Sequence, residues 1–165
     1  MIIRKYNKND IRRIVELYNE TTKECNGSDL NDEQKNIMLF RDIGKANKLM
    51  SSNIALVLEV KERIIGFVTM TTQGYINFFY VDKNELKKGY GKSLLFELEK
   101  KANSLGLKNI FLYASKYTSD RSIYEKLGYE NKSLEAYKIL GVEFKGYKME
   151  KEIKKATPCR FKSPI

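Results

Sequence analysis

Residues 76–95 read INFFYVDKNELKKGYGKSLL, and this stretch decides how the rest of the chain is interpreted. Its first six residues are almost all apolar or aromatic, which is typical of a β-strand that ends at Val81. A polar loop follows, and beyond it leucines recur with helical spacing as far as Leu105. The stretch therefore predicts a strand that leads through a glycine-containing loop into a helix.

The loop also predicts an anion site. Successive N–H groups at a helix N-terminus, together with the helix dipole, attract negative charge. Gly89 and Gly91 leave the backbone open to close approach, and Lys87, Lys88 and Lys92 add positive charge around it. The predicted ligand is a phosphorylated cofactor whose pyrophosphate lies on this turn.

Two common nucleotide-binding motifs do not fit the loop. A P-loop that ends at Gly91 needs another glycine five residues earlier, where the chain has Leu86. A dinucleotide fingerprint needs a third glycine at the position of Leu94 and a parallel strand before the loop, whereas this strand ends an antiparallel meander. Both motifs are excluded.

The order of predicted elements indicates a mixed α/β (α+β) domain with a central, mostly antiparallel mixed sheet flanked by helices. A strand at 1–6 precedes a helix capped at Asn9–Asp10 and a second helical stretch after Asp32. A hairpin then turns at Lys61–Glu62. Four elements follow the stretch quoted above: its helix, a strand at 108–115, a short helix that ends at Gly128 and a strand from Gly141. We expect one domain over residues 1–153 and a basic tail over 154–165.

The composition of the chain excludes some classes of catalytic and metal site. The chain has 165 residues, no histidine and a net charge of +10, so His-based triads and histidine zinc sites are excluded and we expect no metal. Cys25 and Cys159 lack metal-ligand spacing, and no signal-like or membrane-spanning apolar run occurs, so we expect a reduced, cytoplasmic protein without membrane contact.

With these motifs the chain resembles the GNAT superfamily of N-acetyltransferases. The strand INFFYV, the loop DKNELKKGYGKSLL and the downstream segment YEKLGY (residues 124–129) match its two signatures and their spacing. Leu86 stands where the family usually has glutamine or arginine, at a position that contributes mainly through its backbone. The resemblance covers roughly residues 1–152.

The resemblance implies acetyl-CoA as cofactor and places its binding on the strand and loop. The implied cofactor-binding residues are Phe79, Val81, Leu86, Lys87, Lys88, Gly89, Tyr90, Gly91, Lys92 and Ser93. It also implies that the strand splays from its neighbour and that an amide near Phe79 polarises the acetyl carbonyl. Tyr124 falls where the family often has its general acid, and a phenol keeps its proton at neutral pH.

No general base follows from the sequence. Many relatives have a glutamate at the position of Tyr75, and neither Tyr75 nor Asn77 is a useful base at neutral pH. The remaining candidates come from the acidic segment between the first two helices: Glu24, Asp29, Asp32 and Glu33.

The expected partner is a small-molecule or peptide amine, and an acidic lip suits a cationic one. We expect a monomer or homodimer. The alternative functions are a catalytically silent CoA-binding regulator and a basic nucleic-acid-binding module. The scattered lysines and the tyrosines at apolar-periodic positions argue against nucleic acid as a partner.

Overall fold

The computed structural model describes residues 1–25, 30–116, 121–139 and 141–154. Its strands are β1 (Ile2–Lys5), β2 (Ile54–Val60), β3 (Arg63–Met70), β4 (Ile76–Val81), β5 (Asn109–Ser115), β6 (Glu130–Ile139) and β7 (Val142–Glu152). Its helices are α1 (Ile11–Cys25), α2 (Asp32–Ile37), α3 (Ile43–Ser52), α4 (Tyr90–Ser104) and α5 (Arg121–Lys126). Short 3₁₀ turns at Lys8–Asp10 and Lys83–Glu85 precede α1 and α4. Apart from Lys154, the expected basic tail lies outside the described residues.

The strands form two antiparallel sheets. The first has the order β1-β2-β3-β4 and the second the order β5-β7-β6. An isolated parallel bridge between Tyr75 and Phe111 connects them at the start of β4. The mixed α/β fold with mostly antiparallel strands is therefore confirmed, and the sheet is divided where β4 and β5 meet.

Two parts of the element order differ from the sequence prediction. Strand β6 was missed because its half-buried positions include the polar Ser133 and Glu135, so it shows no apolar alternation. The second helical stretch is two helices, because Asp42 accepts a hydrogen bond from Lys45 N–H and begins α3. Between them, the side-chain amide of Asn19 pairs with both backbone groups of Phe40, at 2.9 Å each, and holds the linking segment.

The turn at Lys61–Glu62 is confirmed. Both residues have positive φ (49° and 61°), the conformation that a tight two-residue hairpin requires. The caps of the first two helices lie slightly earlier than expected: Asn7 caps the 3₁₀ turn before α1, and Asn31 caps α2.

The core has two apolar layers, one on each face of the first sheet. Helix α4 contributes Leu94, Leu95 and Leu98 to the layer that continues under the second sheet. Helices α1 and α3 pack on the opposite face, where Ile14 and Phe67 are fully buried. None of the described helices is both long and apolar enough to cross a membrane.

A buried carboxylate ties β1 to the start of α1. Arg4 donates to Asp10 through two nitrogens, at 2.8 and 3.0 Å, and also pairs with Glu59 on β2 at 2.9 Å. The Asn7 N–H donates to the same carboxylate at 2.7 Å. Burial opposes ionisation of Asp10, but these hydrogen bonds outweigh it, and the pKa of Asp10 lies below its ordinary value.

We expect Asp10→Asn to lower the free energy of unfolding at neutral pH by about 1–3 kcal/mol, because Arg4 loses one of its two charged partners and keeps only Glu59. A depressed folded-state pKa stabilises the fold above the unfolded-state value, about 3.9, and this stabilisation disappears as pH falls through the folded-state value. Urea unfolding curves of the two proteins should therefore differ at neutral pH and converge in acid. A difference that persists unchanged at low pH would contradict this account.

Candidate functional site

Asp82 fixes the direction in which the chain leaves β4. Its carboxylate is buried, 4% exposed, and accepts hydrogen bonds from Arg63 at 2.7 Å and from Arg13 at 3.2 Å. The other oxygen accepts from the Asn84 N–H at 3.0 Å, which starts the 3₁₀ turn. Sequence reasoning missed this residue, although an aspartate directly after a strand is a turn signal.

The N-cap position of helix α4 is occupied by a glycine, which has no side chain to hydrogen-bond the first turn. Gly89 is the N-cap, with φ 81°, and makes no side-chain hydrogen bond. The first bond of the helix runs from Ser93 N–H to the Gly89 carbonyl, at 3.1 Å. The N–H groups of the first turn therefore have no intrahelical acceptor and point out of the helix end.

The two glycines of the loop have different steric roles. A Cβ on Gly89 would meet nothing within 4 Å, so this position requires glycine for its positive φ. A Cβ on Gly91 would lie 3.1 Å from Phe79 Cζ. Gly91 thus allows the first turn of α4 to pack closely on β4.

The outer edge of β4 is directed away from β3. The Asp82 N–H donates to the carbonyl of Ile65, a residue of β3, at 2.7 Å. Because alternate residues of an antiparallel strand address the same neighbour, Tyr80 also faces β3, whereas Phe79 and Val81 direct their N–H and C=O groups the other way. Within the described parts of the chain, the pairing towards β5 is the isolated bridge between Tyr75, which precedes β4, and Phe111. The backbone groups of Phe79 and Val81 therefore have no strand partner on that side among the described residues.

Tyr124 lies beside the same strand. Its ring centroid is 6.2 Å from that of Phe79 and 6.0 Å from that of Tyr129. Tyr129 is buried, and its hydroxyl has no hydrogen-bond partner among the described residues. The ring of Phe79 thus contacts both the start of α4 and α5, which brings together residues that are far apart in sequence.

The lysines of the loop are not equivalent. Lys88 pairs with Glu85 at 2.8 Å. In the parts of the chain that the structure describes, Lys87 and Lys92 have no carboxylate within ion-pair distance, and both are exposed. Leu86 is 54% exposed, so its side chain contributes little to the core.

Comparison with known proteins identifies the fold and the family. The family model described as an acetyltransferase (GNAT) domain matches residues 29–151, more than half of the chain. The chain belongs to the GNAT acetyltransferase family. A search of curated proteins finds no match.

Solved structures with this fold include several GNAT enzymes. A GCN5-related N-acetyltransferase from Rhodopseudomonas palustris has a TM-score of 0.82 and 21% identity, over 92% of this chain and 94% of that one. The PaiA N-acetyltransferase from Thermoplasma acidophilum, in complex with coenzyme A, has a TM-score of 0.74 and 21% identity, over 92% and 98%. An aminoglycoside 6'-N-acetyltransferase complexed with coenzyme A has a TM-score of 0.68 and 17% identity, over 95% and 99%.

None of the described candidates for a general base has a contact with Phe79 or Tyr124 that would favour that role. Burial raises the pKa of Tyr75, so even less of it is deprotonated and able to accept a proton at neutral pH. Asn77 accepts a hydrogen bond from Thr69 Oγ1 at 2.5 Å. Asp32 and Glu33 are exposed in the first turn of α2. Asp29 and the side chain of Glu24 lie outside the described part of the chain.

We expect Gly89→Ala to lower the free energy of unfolding by about 1–2 kcal/mol, because alanine resists the left-handed conformation even where space is free. Gly89→Asn is the matched control, since asparagine tolerates positive φ better and should cost less. Urea unfolding measures both variants. Equal losses would mean that the backbone conformation of residue 89 is not what requires glycine.

Proposed function

We propose that this GNAT protein is an acetyl-CoA-dependent N-acetyltransferase that moves an acetyl group to a primary amine of a small molecule or peptide by direct attack. One observation carries the proposal: the ring of Phe79 lies between the uncapped start of α4 and Tyr124. The end of α4 that we propose as the anion site and the tyrosine that we propose as the proton donor therefore both pack against β4.

The residues present suit coenzyme A. The uncapped first turn of α4, entered through Gly89, offers N–H groups to a pyrophosphate, and Lys87 and Lys92 are exposed beside it. The backbone of Phe79 and Val81 faces the gap between β4 and β5 and is suited to pair with the amides of the pantetheine arm. Two neighbours of this fold bind coenzyme A, which supports the proposal.

In this proposal the backbone of Phe79 and the side chain of Tyr124 have separate roles in acetyl transfer. Acetyl-CoA would supply the acetyl group as an activated thioester. The backbone N–H of Phe79 would donate to the carbonyl oxygen of the bound thioester. The phenol of Tyr124 would supply the proton that the coenzyme A sulfur takes up when the C–N bond forms and the C–S bond breaks. The amine would attack in its neutral form and release its proton to solvent, and Tyr124 would regain a proton from solvent.

The acceptor and the cellular setting belong to the same proposal. One neighbour is named for aminoglycosides, a class of small molecules that carry several amines. We place the enzyme in the cytoplasm, as a monomer or homodimer.

One observation favours a second candidate, a CoA-binding regulator without catalysis. Tyr75, stacked on Phe111 with centroids 5.3 Å apart, stands where the resemblance calls for a glutamate, so β4 offers no carboxylate base there. Calorimetry with acetyl-CoA combined with a thiol-release assay over a panel of amines separates the two. Binding and release support the enzyme, and binding without release supports the regulator.

We expect the double variant Lys87→Gln, Lys92→Gln to weaken coenzyme A binding about three- to tenfold, because each lysine adds a small, screened attraction to the anion. The salt dependence of binding should fall with it. Lys100→Gln is the matched control, since Lys100 lies further along α4 and pairs with Glu97. If the control weakens calorimetric binding as much, the pyrophosphate does not lie on this loop.

We expect Tyr124→Phe to reduce kcat about 100-fold and to leave KM for acetyl-CoA unchanged, because only the proton donor is lost while the ring still contacts Phe79. Tyr129→Phe is the control. It removes a hydroxyl that has no partner among the described residues, and its kcat should stay close to the wild-type value. Wild-type turnover by Tyr124→Phe would remove Tyr124 from the proposed mechanism.

A further inference from the structure

Four half-buried rings lie together on one face of the second sheet and at its junction with the first. We call them the aromatic face: Tyr75, Phe111, Tyr113 and Tyr137. Tyr75 stacks on Phe111, with centroids 5.3 Å apart, and meets Tyr113 edge-on at 5.8 Å. Tyr113 stacks on Tyr137 at 4.9 Å, with an interplanar angle of 14°. The result is a broad apolar surface that begins where β4 and β5 diverge.

A glycine in the central strand makes this surface possible. Gly146 lies in β7, between β5 and β6, and pairs with Ser115 on one side and Glu135 on the other. A Cβ on Gly146 would lie 2.9 Å from Tyr137 Cε1 and 3.4 Å from Tyr113 Cβ. Glycine weakens a strand interior, and here it leaves the space in which the two tyrosine rings stack.

A carboxylate is held at the edge of the aromatic face. Glu135 accepts hydrogen bonds from Tyr113 Oη at 3.0 Å and from Ser133 Oγ at 2.5 Å. These two bonds and the nearby Lys148 lower the pKa of Glu135, so the group is ionised at neutral pH. Each of its oxygens retains lone pairs for a further donor.

The aromatic face already contacts one ammonium group. The Nζ of Lys148 lies 5.0 Å from the centroid of Phe111, within the range of a cation–π contact. Helix α2 is fixed near the same sheet, because Gln34 donates to the Glu143 carbonyl at 2.8 Å, and its first turn carries Asp32 and Glu33. Ring faces and carboxylates of this kind favour organic cations.

The role of Glu135 follows from its ionisation. An amine must be neutral to attack a thioester, whereas an ammonium group bound to an ionised carboxylate keeps its proton more tightly. A carboxylate stabilised in its charged form is also a weak base. Glu135 is therefore suited to holding a cation and unsuited to activating the nucleophile.

We propose that the aromatic face and Glu135 bind the acceptor, and that this acceptor carries a second ammonium group in addition to the amine that is acetylated. The second ammonium pairs with Glu135, and the carbon chain between the two nitrogens lies on the rings. This inference rests on the proposed N-acetyltransferase function and narrows its substrate class to diamines and larger polyamines.

The test compares a diamine with the monoamine of the same chain length, putrescine and butylamine, by NMR titration of the protein in the presence of coenzyme A. Wild-type protein should bind putrescine about two- to fivefold more tightly than butylamine, the effect of one partly exposed charge pair. Glu135→Gln should remove most of this preference by weakening putrescine binding and leaving butylamine binding unchanged.

Glu130→Gln is the matched control, because it removes an exposed carboxylate of the same strand that pairs with Lys132. It should keep the wild-type preference. A preference that survives Glu135→Gln, or its absence from the wild-type protein, overturns the inference. Thiol release from acetyl-CoA with both amines is measured in parallel: its absence with Glu135-dependent binding intact would refute only the acetyltransferase function.

Discussion

The divergence of β4 from β5 is the constraint on which the rest of the structure depends. The two strands join at the bridge between Tyr75 and Phe111, and beyond it the backbone N–H and C=O groups of Phe79 and Val81 point away from β3 without a strand partner among the described residues. An unpaired strand edge costs hydrogen bonds unless another group satisfies it. Among the described residues β5 pairs with β7 and does not continue along β4 beyond that bridge, so the sheet is interrupted here.

Several contacts keep this edge in place while it stays open. Asp82 holds the chain at the end of β4 through Arg63 and the turn at Asn84. The close approach of Gly91 to Phe79 then sets α4 against the strand. The second contact is made by the side chain of Phe79, whose backbone belongs to the edge of β4 that points away from β3.

The strand, loop and helices around Gly89 could be predicted from the sequence, because their signals are local. The strand, the glycine loop and the leucine helix are contiguous, and the second motif from Tyr124 to Tyr129 forms one short helix and its turn. Such patterns depend on backbone conformation and helical period, which sequence reasoning handles well. The different roles of Gly89 and Gly91 could not be predicted, because only the three-dimensional position of Phe79 separates them.

Strand β6 and the aromatic face were not predicted from the sequence, and the reason is physical. Strand β6 has Ser133 and Glu135 at half-buried positions, so neither its strand character nor its function produces an apolar pattern. The stacked tyrosines come from strands that are distant in sequence, and Gly146 makes room for them without a positive φ or a turn to mark it.

The two sides also differ in how they use charge. The chain carries a net charge of +10, and at the loop before α4 Lys88 is paired with Glu85, whereas Lys87 and Lys92 have no carboxylate within ion-pair distance among the described residues. On the aromatic face the ionised Glu135 is held by two hydroxyl donors, with Lys148 nearby. An overall basic charge disfavours the approach of a cationic acceptor at long range. For the acceptor proposed above, short-range contacts with the carboxylate of Glu135 and the ring faces beside it would have to outweigh that repulsion.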